Sequence, residues 1–168
     1  GTFRGWIDLL AFEPGTGTLL VIEIKTVLDD LGGAERQLGW YERVAEGPAR
    51  SQGWHVRRTR AWLLCLASTE VENAVRLNRD ALRVAFPVRA GPMRDGLAGR
   101  RPLPPGRGLA LIDPSRRRRD WLLPTRLDGR RRAAPYRSYG DAASRWRVEA
   151  GVERGDPGYG GSGGHAGT

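Results

Sequence analysis

Hydrophobic and polar positions along residues 1–90 form a pattern that predicts two strands followed by a helix. Residues 3–12 and 18–26 are mostly apolar and flank a Pro-Gly turn at residues 13–17. Two such runs joined by a short turn predict an antiparallel hairpin. Apolar side chains then recur at helical spacing over residues 31–45, after two aspartates that suit a helix N-terminus.

The same pattern predicts a further strand and a second helix. The first helix is expected to end at Gly47 and Pro48, and residues 55–67 alternate and then become apolar, as in a central strand. A second helix is predicted to start at Thr69 with a capping-box pattern and to run to residue 85. The order β-β-α-β-α predicts an α/β domain over residues 1–90.

The composition changes after residue 90. Residues 91–168 contain 15 of the 24 glycines, two runs of arginine and few apolar residues. A short strand is expected at residues 109–112. We expect the rest to be a largely disordered basic tail, because little apolar burial offsets the ordering entropy. The Gly/Ser-rich run from Gly158 is expected to be unstructured.

Charge favours a polyanionic partner, of which nucleic acid is the commonest. The chain has 28 basic and 19 acidic residues, a net charge of +9. Residues 1–90 carry a net charge of only +1, whereas residues 91–168 carry +8. The arginine runs there, with interleaved Trp and Tyr, suit either a phosphate-contacting arm or a solvated tail. DNA is the favoured partner, and RNA remains an alternative.

Several function classes find little support in the residue types present. One cysteine permits no intrachain disulfide and no cysteine-based zinc site, and Cys65 in its apolar run is predicted to be a buried thiol. Two histidines give little basis for a histidine-based nuclease or a Ser/His hydrolase. We expect no membrane span and no signal peptide, and therefore a cytoplasmic protein.

The strongest candidate chemistry surrounds Lys25, the single lysine among the 28 basic residues. Glu23 and Lys25 are two apart on the predicted strand and therefore share a face. A hairpin turn centred between Gly15 and Thr16 places Asp8 opposite Glu23, so that the two carboxylates repel each other. A divalent cation would relieve that repulsion, and Mg²⁺ is commonly held by one or two carboxylates plus a substrate phosphate. The alternative is a salt bridge across the hairpin.

This arrangement resembles a known family. Asp8 and the run Glu23-Ile24-Lys25 resemble the PD-(D/E)xK nuclease superfamily, which has the restriction-endonuclease-like fold. The resemblance implies Mg²⁺ or Mn²⁺ bound by Asp8, Glu23 and the carbonyl of Ile24, with Lys25 assisting the attacking water. Gln37 and Tyr41, at i and i+4, resemble the Q-x-x-x-Y pattern of the superfamily's recombination-exonuclease branch.

The resemblance has departures that affect what can be expected of the chain. The family core usually opens with a helix and a strand, and neither fits before Asp8, so the core is expected to lack its N-terminal helix. Because the chain starts with Gly1 and a strand-like pattern begins within a few residues, the N-terminus is expected to be truncated. Ile7 precedes Asp8 in place of the family's proline. The runs at residues 5–11 and 20–26 also resemble nuclease-like domains appended to bacterial helix-turn-helix regulators. The sequence therefore predicts a metal-dependent deoxyribonuclease or, alternatively, a non-catalytic DNA-binding module of a transcriptional regulator, with an Arg/Gly-rich RNA binder as a third option.

Overall fold

The computed structural model describes residues 6–116, 121–129 and 133–150, which form a mixed α/β fold around a five-stranded sheet. The strands are β1 (Leu9–Glu13), β2 (Thr18–Lys25), β3 (Arg58–Leu66), β4 (Gly108–Ile112) and β5 (Leu122–Leu123). The α-helices are α1 (Leu31–Val44), α2 (Glu46–Ser51), α3 (Thr69–Leu77), α4 (Arg79–Ala85), α5 (Ala90–Leu97) and α6 (Tyr139–Glu149). Within the described ranges, every helix is too short or too polar to span a bilayer.

The strands lie in the order in which they occur in the chain. β2, β3 and β4 are parallel, and the antiparallel strands β1 and β5 form the two edges. Parallel strands are usually covered on both faces, and β3 is buried without interruption from Ala61 to Leu66. The short strand predicted at residues 109–112 is β4. Because β2, β3 and β4 run in the same direction, the polar groups at their carboxyl ends lie at the same end of the sheet.

The β1–β2 hairpin has the predicted register. Leu9 pairs with Ile22, and Glu13 pairs with Thr18, so the turn is centred where the sequence places it. Gly17 has a φ of 67°, in the left-handed region that favours glycine, and a Cβ there would lie 2.8 Å from the Arg57 Cγ. β1 is shorter than the predicted strand over residues 3–12. It begins at Leu9, and residues 3–5 lie outside the described part of the chain.

Helices cover both faces of the sheet. The face that carries Leu19 and Val21 packs against α1 to α4, which contribute buried side chains such as Leu38 and Leu82. The opposite face packs against α5, where buried Met93 contacts the core around Trp62. Full burial of each such side chain contributes about 1.5–3 kcal/mol, so both layers contribute to holding the strands in place.

The helix boundaries differ from prediction in three places. Pro48 does not end the first helix region, because it is the third residue of α2, in the first turn where a missing N–H breaks no helical hydrogen bond. The second helix is two helices, α3 and α4, separated at Asn78. Its N-cap is Ser68, whose hydroxyl accepts from the Val71 N–H, rather than Thr69.

The predicted division at residue 90 requires correction. β4 pairs with β3 in the middle of the sheet, so residues 108–112 belong to the same core as the first 90 residues. Tyr136, in the segment that leads into α6, packs with Trp146 against Leu66. The described parts of residues 91–150 are therefore folded, in place of the expected largely disordered tail. The reason is that a few apolar side chains, scattered along this sequence, pack against residues that are distant in the chain. The arginine runs at residues 117–119 and 130–132, and the Gly/Ser-rich run from Gly158, lie outside the described residues.

Candidate active site

The hairpin brings two carboxylates together. The β1–β2 register, extended by one pair beyond Leu9 and Ile22, places Asp8 opposite Glu23, as predicted. Asp8 lies in an exposed bend just before β1, and its Oδ2 accepts a hydrogen bond of 2.7 Å from the backbone N–H of Ile24. Glu23 is 3% exposed. One carboxylate of the pair therefore faces solvent and the other is buried beneath it.

The electrostatics of the buried carboxylate are unfavourable for its charged form. Burial raises the pKa of Glu23, the hydrogen bond from Lys25 lowers it, and the neighbouring charge of Asp8 raises it again, so that the pKa is raised overall. The Oε2 atom of Glu23 has no hydrogen-bond partner among the described residues. A buried carboxylate with an unsatisfied oxygen is a costly group that a bound cation would stabilise.

Lys25 lies between the carboxylates and α1. Its Nζ is 2.7 Å from Glu23 Oε1, and it donates a hydrogen bond of 3.2 Å to Gln37 Oε1. Burial lowers the pKa of Lys25, but the carboxylates of Glu23 and Asp8 raise it by more. Lys25 is therefore a protonated ammonium at neutral pH, which can donate hydrogen bonds or offset negative charge but cannot accept a proton.

Helix α1 contributes the remaining predicted residues. Gln37 Nε2 donates a hydrogen bond of 2.6 Å to the Tyr41 hydroxyl, and that hydroxyl donates to the backbone carbonyl of Trp6. Burial raises the pKa of Tyr41, the bond from Gln37 lowers it, and the nearby carboxylates raise it, leaving it raised. A continuous chain of hydrogen bonds thus connects Lys25 to the segment that leads into Asp8.

The sequence of α1 accounts for its position against the hairpin. Asp30 caps the helix, since its side chain accepts a hydrogen bond of 2.7 Å from the Gly33 N–H. The buried side chains Ala34, Leu38 and Tyr41 recur at helical spacing and pack onto β2. Gln37 lies next to this stripe and is directed toward Lys25 for that reason.

The oxygen atoms of this cluster are suitable ligands for a hard divalent cation. The N–H and C=O of one strand residue point to the same edge, so the Ile24 carbonyl faces the edge where Asp8 accepts the Ile24 N–H. Within the described residues, no three His, Cys, Asp or Glu side chains cluster as metal ligands. Two carboxylates and a carbonyl suffice for Mg²⁺, which keeps several waters, and the unsatisfied oxygen of Glu23 is suited to the cation.

A cavity adjoins this cluster. Its volume is about 1000 Å³, and it lies between the end of β2, the loop that follows and α1. Lys25, Gln37 and Tyr41 are on its wall, so the polar chain described above opens into it.

Asp113 is a buried carboxylate that sequence analysis missed. Asp113, directly after β4, accepts hydrogen bonds from the Ser115 hydroxyl at 2.7 Å and the Tyr136 hydroxyl at 2.8 Å, and from Arg116 Nε at 3.1 Å. Burial raises the pKa of Asp113, but these donors lower it by more. Because both its oxygens are satisfied, Asp113 anchors the chain around Tyr136 and is not available for chemistry. An aspartate at the carboxyl end of a predicted strand was the available signal.

Comparisons with protein-family models, curated proteins and solved structures give no significant match to this chain. What the chain does must therefore be argued from the geometry of its own residues.

Proposed function

We propose that this protein is a metal-dependent nuclease of the PD-(D/E)xK kind, with a restriction-endonuclease-like core, that hydrolyses phosphodiester bonds in DNA. The observation that supports it most is the pairing of Asp8 with a buried Glu23 that lacks a partner for one oxygen. Lys25 at 2.7 Å completes the residue types that such a reaction needs. The net charge of +9 suits a polyanionic substrate.

Each residue has a role that follows from its contacts. Asp8, Glu23 and the Ile24 carbonyl would hold Mg²⁺ or Mn²⁺. When bound, the ion would polarise the scissile phosphate and lower the pKa of a bound water. The Ile24 N–H fixes the Asp8 carboxylate through the 2.7 Å hydrogen bond. Lys25, protonated at neutral pH, donates to the attacking water or to a phosphate oxygen and offsets the charge that develops there.

Gln37 and Tyr41 act as positioning residues. Gln37 holds the Lys25 ammonium through its Oε1 atom, so the lysine keeps one fixed direction while its other hydrogens face Glu23 and the cavity. Tyr41 anchors the Trp6 carbonyl, two residues before Asp8, and thereby limits the motion of the exposed carboxylate.

A cleavage assay tests this proposal. The full chain should cut DNA with Mg²⁺ or Mn²⁺ and stop when EDTA is added. Glu23→Gln and Lys25→Met should each reduce the rate about a hundredfold or more, since each removes a charge at the reacting centre. Glu72→Gln is the matched control, because Glu72, on helix α3 rather than on β2, is also a buried glutamate with a basic partner, Arg126, whose Nε lies 3.1 Å from its Oε2.

The second candidate is a non-catalytic DNA-binding module of a transcriptional regulator. The observation that favours it is the 2.7 Å contact of Lys25 with Glu23, which in a binding module would simply neutralise the carboxylate. DNA binding by a wild-type chain that never cuts, with either metal, would support this candidate over the nuclease.

A further inference from the structure

The cavity beside the candidate site differs in character from a phosphate-binding groove. Among the residues that the structure describes, the charged ones in its lining are Lys25, Arg36, Asp29 and Asp30, whose formal charges cancel. Lys25 is further neutralised by Glu23 at 2.7 Å. A surface that follows a nucleic-acid backbone carries an excess of positive charge. The described lining of this cavity lacks that excess, so the lining residues that the structure describes do not favour phosphates as its ligand.

The rest of the lining is apolar and aromatic. Val27, Leu28 and Trp40 are among the lining residues, and the Trp40 ring centroid lies 5.3 Å from that of Tyr41, with the two rings tilted by 55°. Gln37 adds an amide group to the lining. Apolar and aromatic side chains with a few polar groups are the usual lining of small-molecule sites, and such a lining suits a flat, uncharged ring system.

The size and position of the cavity further restrict the kind of ligand that it can bind. Ligand pockets range from about 300 to 1,000 Å³, and this cavity, at about 1000 Å³, has room for a nucleoside unit. Lys25 and Ile24 belong both to its lining and to the candidate site, so a chain whose phosphate lies at the carboxylates can place the adjoining base in the cavity. A base paired within a duplex cannot do this without leaving its stack.

We infer that the cavity binds an unpaired nucleobase next to the scissile phosphate, and that the substrate is single-stranded or frayed DNA rather than intact duplex. This inference rests on the proposed nuclease function, because it uses the same site to position the phosphate. The base stacks on Trp40 and contacts the Gln37 amide, while Lys25 lies toward the phosphate.

The test measures binding by the full chain in EDTA, where no metal-dependent cleavage occurs. Three probes are compared at one salt concentration: a single-stranded oligonucleotide, an oligonucleotide of equal length that lacks all its bases, and a duplex closed by loops at both ends. The single strand should bind about 5- to 150-fold more tightly than the abasic strand, as expected for one stacked base. It should also outcompete the closed duplex.

Two substitutions locate the effect. Trp40→Leu keeps an apolar side chain but removes the aromatic ring, and it should abolish the preference for the strand with bases. Trp54→Leu is the matched control, since Trp54 stacks on Phe12 at 5.3 Å and lies outside the cavity, and it should keep the preference. Val27→Trp reduces the volume of the cavity with a bulky side chain at another lining residue and should act like Trp40→Leu, provided that all three variants show cooperative thermal unfolding.

The inference is overturned if the abasic strand or the closed duplex binds as tightly as the single strand, or if folded Trp40→Leu and Val27→Trp retain the preference. Because binding is measured without metal, these outcomes are independent of cleavage. A chain that shows the base preference but never cuts when Mg²⁺ or Mn²⁺ is restored would refute the nuclease proposal and leave the base site standing.

Discussion

Replacing Lys25 with methionine removes the ammonium 2.7 Å from Glu23 Oε1 but keeps an unbranched apolar side chain of similar length. The change leaves the Glu23 carboxylate buried beside Asp8 without its counter-charge. Burial and Asp8 already raise the pKa of Glu23, and Lys25 is the group that lowers it. We therefore expect Lys25→Met to raise the Glu23 pKa further and to destabilise the fold in a pH-dependent way.

The size of the effect has an upper limit, because an unpaired carboxyl can bind a proton. Starting from the ordinary Glu pKa of 4.5, protonation costs about 3.4 kcal/mol near pH 7 and about 1.4 kcal/mol near pH 5.5. Breaking a fully buried pair costs about 3–5 kcal/mol, and Lys25 is 33% exposed, so its loss costs less. We expect a loss of about 1–3 kcal/mol near pH 7, falling to about 1 kcal/mol or less near pH 5.5.

The direction with pH follows from proton binding. In the variant, the folded chain binds more protons than the unfolded chain at every pH between 4.5 and the raised pKa of Glu23, so stability increases as the pH falls through that interval. Urea unfolding followed by circular dichroism at the two pH values measures the change.

Arg50→Met is the matched control for this experiment. Arg50 pairs with Glu46 at 2.6 Å, close to the distance of the buried pair, but its side chain is 71% exposed. Such pairs contribute about 0–1 kcal/mol, and the control should lose the same small amount at both pH values. A Lys25→Met loss that does not shrink at the lower pH would refute the view of Glu23 as a buried charge balanced by Lys25.

Three further predictions follow from other contacts. Tyr41→Phe removes the bond to the Trp6 carbonyl, should cost about 0.5–1.5 kcal/mol in urea unfolding, and should increase amide exchange over residues 7–9 measured by mass spectrometry. Stability should fall as the pH rises above about 10. The pKa values of Tyr41 and Lys25 are raised in the folded chain, which therefore retains protons that the unfolded chain loses. Alkaline unfolding titrations of wild type and Tyr41→Phe measure this fall. Asp113→Ala leaves the buried Tyr136 hydroxyl without its acceptor and should cost about 3 kcal/mol or more, with Asp95→Ala, an exposed partner of Arg100, as the control.

The hairpin and the helix beside it could be predicted because their determinants are local. A four-residue turn between Glu13 and Thr18 sets the register that places Asp8 opposite Glu23, and a strand has a period of two, so Lys25 follows on the same face. The helical stripe that ends at Tyr41 likewise places Gln37 without any distant contact. These residues form a continuous hydrogen-bonded cluster in the structure. Whether that cluster binds a metal remains a prediction.

The C-terminal half could not be predicted in the same way, because its determinants are distant in sequence. Tyr136 is held by Asp113, and its ring packs edge-on against Trp146 at 5.7 Å, yet none of the three lies in a periodic apolar run. Arginine and glycine dominate the local composition, so residues 91–150 resemble a polar tail until the sheet supplies their partners. The cavity beside Lys25 also arises only from the relative position of β2 and α1.

The most direct test of the central claim is a Mn²⁺ titration of the full chain followed by electron paramagnetic resonance, without DNA. The account predicts one bound Mn²⁺ per chain in the wild type. Asp8→Asn and Glu23→Gln should weaken that binding by about tenfold or more, at least the loss that follows when a group hydrogen-bonded to a metal ligand is altered, while Glu72→Gln should bind as the wild type does. No saturable Mn²⁺ binding, or binding that survives both carboxylate substitutions in folded protein, would contradict it.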